Sequence, residues 1–130
     1  MDGYGKRILV VDDDENTALL MSTLLERSGY NVTAVSNGAE ALRELGRRHF
    51  DAVVTDYVMP VLNGAELLKL VQAQYPDTPV IFVSGHPSEY LDAIDPPPFA
   101  RIRKPFESEA LLKLVRSAVH VPTTQTAVSF

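Results

Sequence analysis

A chain of 130 residues has room for one sizeable hydrophobic core and not two. Its 45% apolar and 22% charged residues describe an ordinary globular composition, and no stretch approaches the ~18 uninterrupted apolar residues of a membrane span. With no cysteine, a disulfide framework or thiolate metal site is excluded, and a net charge of -5 with scattered Lys and Arg speaks against a nucleic-acid surface. Residues 1–5 lack the charged and apolar blocks of a secretory signal, so a flexible N-terminus and a cytoplasmic location are expected.

Ile8-Leu9-Val10-Val11 is an aliphatic run of strand length that gives way to Asp12-Asp13-Asp14. From about Asn16 to Ser28 the pattern turns helical, with Leu20 and Leu24 one turn apart and Ala18, Leu19, Met21 and Leu25 widening the apolar face. Asp14 has the position of a helix cap and Gly29 that of a stop. Asn31 to Val35 alternates polar and apolar residues as a half-covered strand does. Asn37-Gly38-Ala39-Glu40 then recurs as Asn63-Gly64-Ala65-Glu66, each reading as a helix start in which Asn caps and Glu reaches back. The first opens a helix to about Gly46 that buries Leu42 and Leu45; the second opens one to about Gln74 that buries Leu67, Leu70 and Val71.

Between these helices lies Ala52-Val53-Val54, ending in Asp56, and after the Tyr75-Pro76-Asp77-Thr78-Pro79 break comes Val80-Ile81-Phe82-Val83, ending in Ser84. Pro87 and Pro96-Pro97-Pro98 confine the next helix to about residues 88–94, so it should be short or distorted. A fifth strand ends at Lys104-Pro105, and Leu111, Leu114, Val115 and Ala118 space the last helix. Beyond residue 120 there is no periodicity, as in a frayed tail. Strand and helix thus alternate five times, which predicts an α/β fold with a doubly wound parallel sheet.

In such a sheet the carboxyl ends of the strands line a ligand crevice. Asp12, Asp13 and Asp56 would meet there at a cost of ~4 kcal/mol per like-charged pair at ~4 Å in an effective dielectric of ~20. Hard carboxylate oxygens without sulfur or imidazole suit Mg²⁺. Lys104 adds a second cation and Ser84 a hydroxyl donor. One carboxylate is thereby equipped to attack a phosphoryl group while the cations neutralise its oxygens. Taken singly, each residue has a plainer reading: a turn acid, a turn hydroxyl, a solvated lysine. Their joint order overturns those readings. His49, His86 and His120 have no metal-ligand spacing.

In this order the pieces resemble the receiver domain of two-component response regulators. Residues 8–14 look like the family's first strand and acidic pair, and Asp56-Tyr57-Val58-Met59-Pro60 with Asn63-Gly64 like its phosphoacceptor loop. Val80 to Gly85 matches the strand ending in Ser/Thr, and Lys104-Pro105-Phe106 its Lys-Pro-Phe signature. The resemblance spans about residues 6 to 119, with residues 1–5 and 120–130 outside the domain. It implies a flavodoxin-like (βα)5 fold with strand order 2-1-3-4-5. Asp56 would take a phosphoryl group from a phosphohistidine on a histidine kinase or histidine phosphotransfer protein. Asp13, Asp56 and the backbone carbonyl of Val58 would hold Mg²⁺, with Asp12 acting through bound water, and Ser84 and Lys104 would engage the acyl phosphate. A cis Lys104-Pro105 peptide is implied as well. A downstream protein would read the face of the fourth helix, fifth strand and last helix; no direct contact with nucleic acid or membrane is expected.

Two positions depart from the pattern. Arg101 stands where the family usually has Tyr or Phe, and with Arg103 on the same side of a strand it predicts a basic output surface, testable by partner binding with both changed to alanine. Val58 and His86 occupy positions that in the family tune phosphoryl lifetime; apolar Val58 does not orient an attacking water, so Val58→Asn is expected to accelerate loss of the group. Two rival readings are a Mg²⁺-dependent aspartyl phosphatase similar to the haloacid-dehalogenase type and a non-phosphorylated pseudo-receiver that only binds. The first needs a further acidic pair, and Glu107 and Glu109 sit instead at the start of the last helix. The chain itself reads as a signalling switch rather than an enzyme, either alone or as a piece of a larger protein such as a hybrid sensor kinase.

Overall fold

The computed structural model describes residues 5–57, 62–85 and 96–120. Five strands, β1 (Arg7–Val11), β2 (Asn31–Val35), β3 (Ala52–Asp56), β4 (Val80–Ser84) and β5 (Ala100–Arg103), form one parallel sheet in the order β2-β1-β3-β4-β5. The described helices are α1 (Glu15–Arg27), α2 (Gly38–Arg47), α3 (Gly64–Gln74) and α4 (Ser108–Val119). The short helix expected near residues 88–94, Val58, His86 and the tail from 121 onward lie outside the described residues.

Side chains alternate across the sheet and so build two cores. Ile8, Val10, Ala52, Val54, Ile81 and Val83 pack with Met21 and Leu25 of α1 and Leu111 and Val115 of α4 on one face. Leu9, Val11, Val53, Val80 and Phe82 pack with Ala41 and Leu45 of α2 and Leu67, Leu68 and Val71 of α3 on the other. Strands β3 and β4 are buried along their whole length, which is why both open on unbroken apolar runs, Ala52–Val54 and Val80–Val83, before their polar ends. At the sheet edge β2 is only half covered.

Local signals set the helix limits. Gly29 takes φ 95° at the end of α1, the left-handed conformation that glycine adopts at no steric cost. Asn63 caps α3 in a complete capping box: its side chain accepts from Glu66 N at 2.9 Å and Glu66 Oε1 accepts from Asn63 N at 3.1 Å. The matching tetrapeptide behaves differently. Asn37 accepts from Glu40 N, yet Glu40 reaches one residue further, to the backbone N and hydroxyl of Ser36, because Ser36 offers two donors to one carboxylate. Asp14 is the N-cap of α1 without a side-chain bond to the helix backbone; its carboxylate accepts from the Thr17 hydroxyl.

Three expected helix faces are rotated slightly from the observed ones. In α1 the buried pair is Met21 and Leu25, whereas Leu19 and Leu20 are 67% and 51% exposed. In α3 Leu68 is buried and Leu70 only partly so, and in α2 Ala41 takes the central place with Leu42 at the margin. A leucine-rich stripe more than half a helix wide cannot be buried on all sides, and the angle at which each helix lies on the sheet selects which part is covered.

Candidate functional site

Register carries the acidic residues to one edge. Val11 pairs with Thr55, so Asp12, one residue on, comes level with Asp56; Asp56 in turn pairs with Val83, and Ser84 with Arg103. The chain runs from β1 outward to β2 and then returns to β3 on the other side of β1. Asp12 and Asp56 therefore end the two strands between which the winding reverses, the place where open α/β sheets leave a crevice.

Carboxylate oxygens of Asp12, Asp13 and Asp56 all lie within 4.8 Å of one another. Lys104 projects into this group from the end of β5, its Nζ 3.0 Å from Asp12 Oδ2 and 3.6 Å from Asp56 Oδ2. Asp12 is almost fully buried, and its second oxygen, Oδ1, accepts from the backbone N of Asp14 at 2.9 Å. Asp56 Oδ1 accepts from the backbone N of Tyr57 at 2.8 Å. Ser84, buried at the end of β4, gives its carbonyl to Lys104 N at 3.0 Å, tying the stems of both residues together. The Lys104–Pro105 peptide is cis, as the sequence implied.

Burial pushes the Asp56 carboxyl above its ordinary value. Lys104 pulls it down, the charges of Asp12 and Asp13 push it up again, and the Tyr57 amide lowers it. Among the described residues three carboxyl groups gather around one ammonium, so acid is in excess at this edge. Hard oxygen donors with that excess fit a small divalent cation, and Mg²⁺ in particular, which binds through few carboxylates and keeps waters.

Of the residues singled out in the sequence, Asp12, Asp13, Asp56 and Lys104 converge, Ser84 stands at the adjoining strand end, and Val58 is outside the described residues. Sequence reasoning missed Tyr57, which acts on Asp56 through its amide and so leaves no side-chain signal. It also missed the closeness of α3. A Cβ on Gly64 would lie 2.6 Å from Asp56 O and 2.8 Å from Tyr57 Cα, so only glycine lets the helix start come this close to the end of β3. Leu19 was assigned to the core and instead lines, with Asp12, Glu15 and Ser22, a hollow of about 580 Å³ between α1 and β2. In a hollow of about 490 Å³ at the opposite edge, Asp51 accepts from Arg7 N and Gln72 donates to the Pro96 carbonyl, so these two groups serve the chain trace.

No described helix is long and apolar enough to cross a membrane. Among curated proteins the chain is 35% identical over 109 residues to the response regulator receiver protein CpdR of Brucella abortus, covering 82% of this chain and 91% of that one. It is 33% identical over 121 residues to the uncharacterized transcriptional regulatory protein YkoG of Bacillus subtilis, covering 92% of this chain and 53% of that one. It spans about half of YkoG and 26% of the transcriptional regulatory protein GlrR of Escherichia coli. Among solved structures, a response regulator receiver domain protein from Clostridium thermocellum superposes with a TM-score of 0.82 at 30% identity, covering 88% of this chain and 94% of that one. The response regulator protein TrrA from Thermotoga maritima, solved in complex with Mg(2+)-BeF, gives 0.81 at 28% identity over 87% of this chain and 98% of that one. The family model of the response regulator receiver domain matches residues 8–116, and with the acidic crevice and the sheet order this chain belongs to that family.

Proposed function

We propose that the chain is the phosphoacceptor of a two-component system or phosphorelay, with Asp56 as the residue modified and residues 6–119 as the functional unit. The observation that carries this reading is the convergence of Lys104 on both Asp12 and Asp56, at 3.0 and 3.6 Å, beside Asp13. A carboxylate with an ammonium and two further acids at this spacing is arranged to accept an anionic group together with a divalent cation.

In the proposed reaction an oxygen of Asp56 forms a bond to phosphorus as the bond from phosphorus to a partner histidine nitrogen breaks, and the imidazole keeps the electron pair and takes up a proton. Asp13 and Asp56, with the Val58 carbonyl, would hold Mg²⁺, and Asp12 would steady its water; when bound, the ion supplies positive charge to the phosphoryl oxygens. Lys104 supplies a second positive charge, and its own carboxylate partners hold it in place before the phosphoryl group arrives. Ser84, at the end of β4, would donate its hydroxyl to the acyl phosphate. The phosphodonor would be a cytoplasmic histidine kinase or phosphotransfer protein. Arg101 and Arg103, both exposed on β5, support a basic surface for the downstream protein.

The phosphatase reading is disfavoured by placement. Glu107 caps α4 and Glu109 lies in its first turn, apart from the three-acid group. The deciding experiment is incubation with acetyl phosphate and Mg²⁺. One stable phosphoryl group on Asp56 is expected, lost in Asp56→Asn and on chelation of the metal. Sustained turnover of phosphomonoesters, or equal labelling of Asp56→Asn, overturns the proposal.

A further inference from the structure

Tyr57 follows the last residue pair of β3 and β4, Asp56 with Val83, so it stands just beyond the sheet. Three contacts hold it nonetheless. Its carbonyl accepts from Gly64 N at 2.7 Å, at the first turn of α3. Its ring stands edge-on to Phe82, the centroids 5.9 Å apart at 75°. Its amide donates to Asp56 Oδ1 at 2.8 Å. Phe82 is fully buried in the middle of β4, and close packing there makes it a fixed support. Gly64 belongs to the same arrangement: a Cβ at that position would lie 3.2 Å from Phe82 Cε1 as well as 2.8 Å from Tyr57 Cα.

The terminal torsion of an aspartate is broad, so a carboxylate gripped at one oxygen still rotates. Here the two oxygens of Asp56 face different partners, Oδ1 the Tyr57 amide and Oδ2 the Lys104 ammonium. We infer that Tyr57 is a positioning residue for phosphoryl acceptance, its ring on Phe82 and its carbonyl on α3 aiming the amide that sets the rotation of the Asp56 carboxylate. The inference rests on the reading of Asp56 as acceptor. A Tyr57 that merely filled space would affect stability and leave the reaction rate untouched.

The full chain carrying Tyr57→Phe or Tyr57→Ala tests this, with acetyl phosphate and Mg²⁺ as the phosphodonor mixture. Tyr57→Phe keeps the ring edge and is expected to label within about twofold of the parent. Tyr57→Ala is expected to lose about tenfold in saturating rate while the half-saturating acetyl phosphate concentration moves less than about twofold, because orientation and not donor binding is impaired. Hydrogen exchange at the residue 57 amide should quicken in Tyr57→Ala, with the Leu9 and Val53 amides unchanged. Should Tyr57→Ala not fold, Phe82→Leu removes the support from the other side and is expected to show the same rate loss and the same exchange change. A parental saturating rate in the alanine variant, a loss confined to half-saturation, or failure of Tyr57→Phe to rescue overturns the inference. The exchange measurement needs no phosphorylation: if the parent itself does not label, the acceptor reading fails, and unchanged exchange at residue 57 separately defeats the positioning role.

Discussion

Asp56 is held in a condition that acts against the fold. Burial is the chief reason its carboxyl sits above the ordinary value of 3.8, and the neighbouring acids add to it, so the folded chain binds this proton more tightly than the unfolded chain. Stability contributed by this group is complete below the unfolded value and is lost as pH rises through the raised one. In metal-free buffer Asp56→Asn is therefore expected to be more stable than the parent at pH 7, by about 1 kcal/mol or several degrees in Tm. The gap should close as pH falls below about 4. Urea unfolding of both proteins across that range checks it, and a variant less stable than the parent at neutral pH would mean that Lys104 outweighs the repulsion. Lys104, bound to two acids at once, is already oriented before any ligand arrives.

Among the helices, the repeated Asn-Gly-Ala-Glu shows how one local signal serves two purposes. Both asparagines cap, and both glycines have neighbours that leave no room for a Cβ. At Gly38 the neighbour is Leu62, the residue before the second copy of the signal, so the starts of α2 and α3 touch each other. At Gly64 the neighbours are the backbone of Asp56 and Tyr57, which cannot move aside without moving the Asp56 side chain. Gly46 is the contrast: inside α2, a Cβ there would meet nothing nearer than Tyr75 Oη at 3.9 Å. Gly64→Ala is expected to destabilise by about 2 kcal/mol through overpacking. Gly46→Ala is expected to stabilise by about 0.5–1 kcal/mol through helix propensity. Urea midpoints of the two variants decide the matter, and effects of the same sign would refute the packing account.

Across the whole molecule, the acidic edge is where the two halves of the sheet are joined. Asp12 and Asp13 follow β1 and Asp56 ends β3, so a metal ion on these acids would tie β1 to β3, while Lys104, following β5, bonds to Asp12 across 92 residues of chain. Repulsion among the acids acts against this closure until a counter-charge is supplied. Mg²⁺ at ten times its dissociation constant should raise stability by about 1.4 kcal/mol, seen as a higher Tm that chelation reverses. Na⁺ at equal ionic strength should not reproduce the effect, and Asp13→Asn should weaken it. An equal response to both salts would indicate general screening and no seated ion.

The fold and the acidic group were legible in the sequence because both depend on short-range signals: apolar runs of strand length, glycine and proline breaks, and acids placed immediately after those runs. Asp12, Asp13, Asp56, Ser84 and Lys104 were found by their place at strand ends, since parallel strands bring such ends to one edge whatever lies between them. What lay beyond the sequence was every outcome of contact between elements. Which leucines of α1 and α3 are buried, where Glu40 sends its carboxylate and why Gly64 tolerates no side chain all depend on how the helices seat on the sheet. The hold of Tyr57 on Asp56 belongs to the same class, because it passes through a backbone amide whose direction is set by an aromatic ring on another strand, and no residue type announces that in advance.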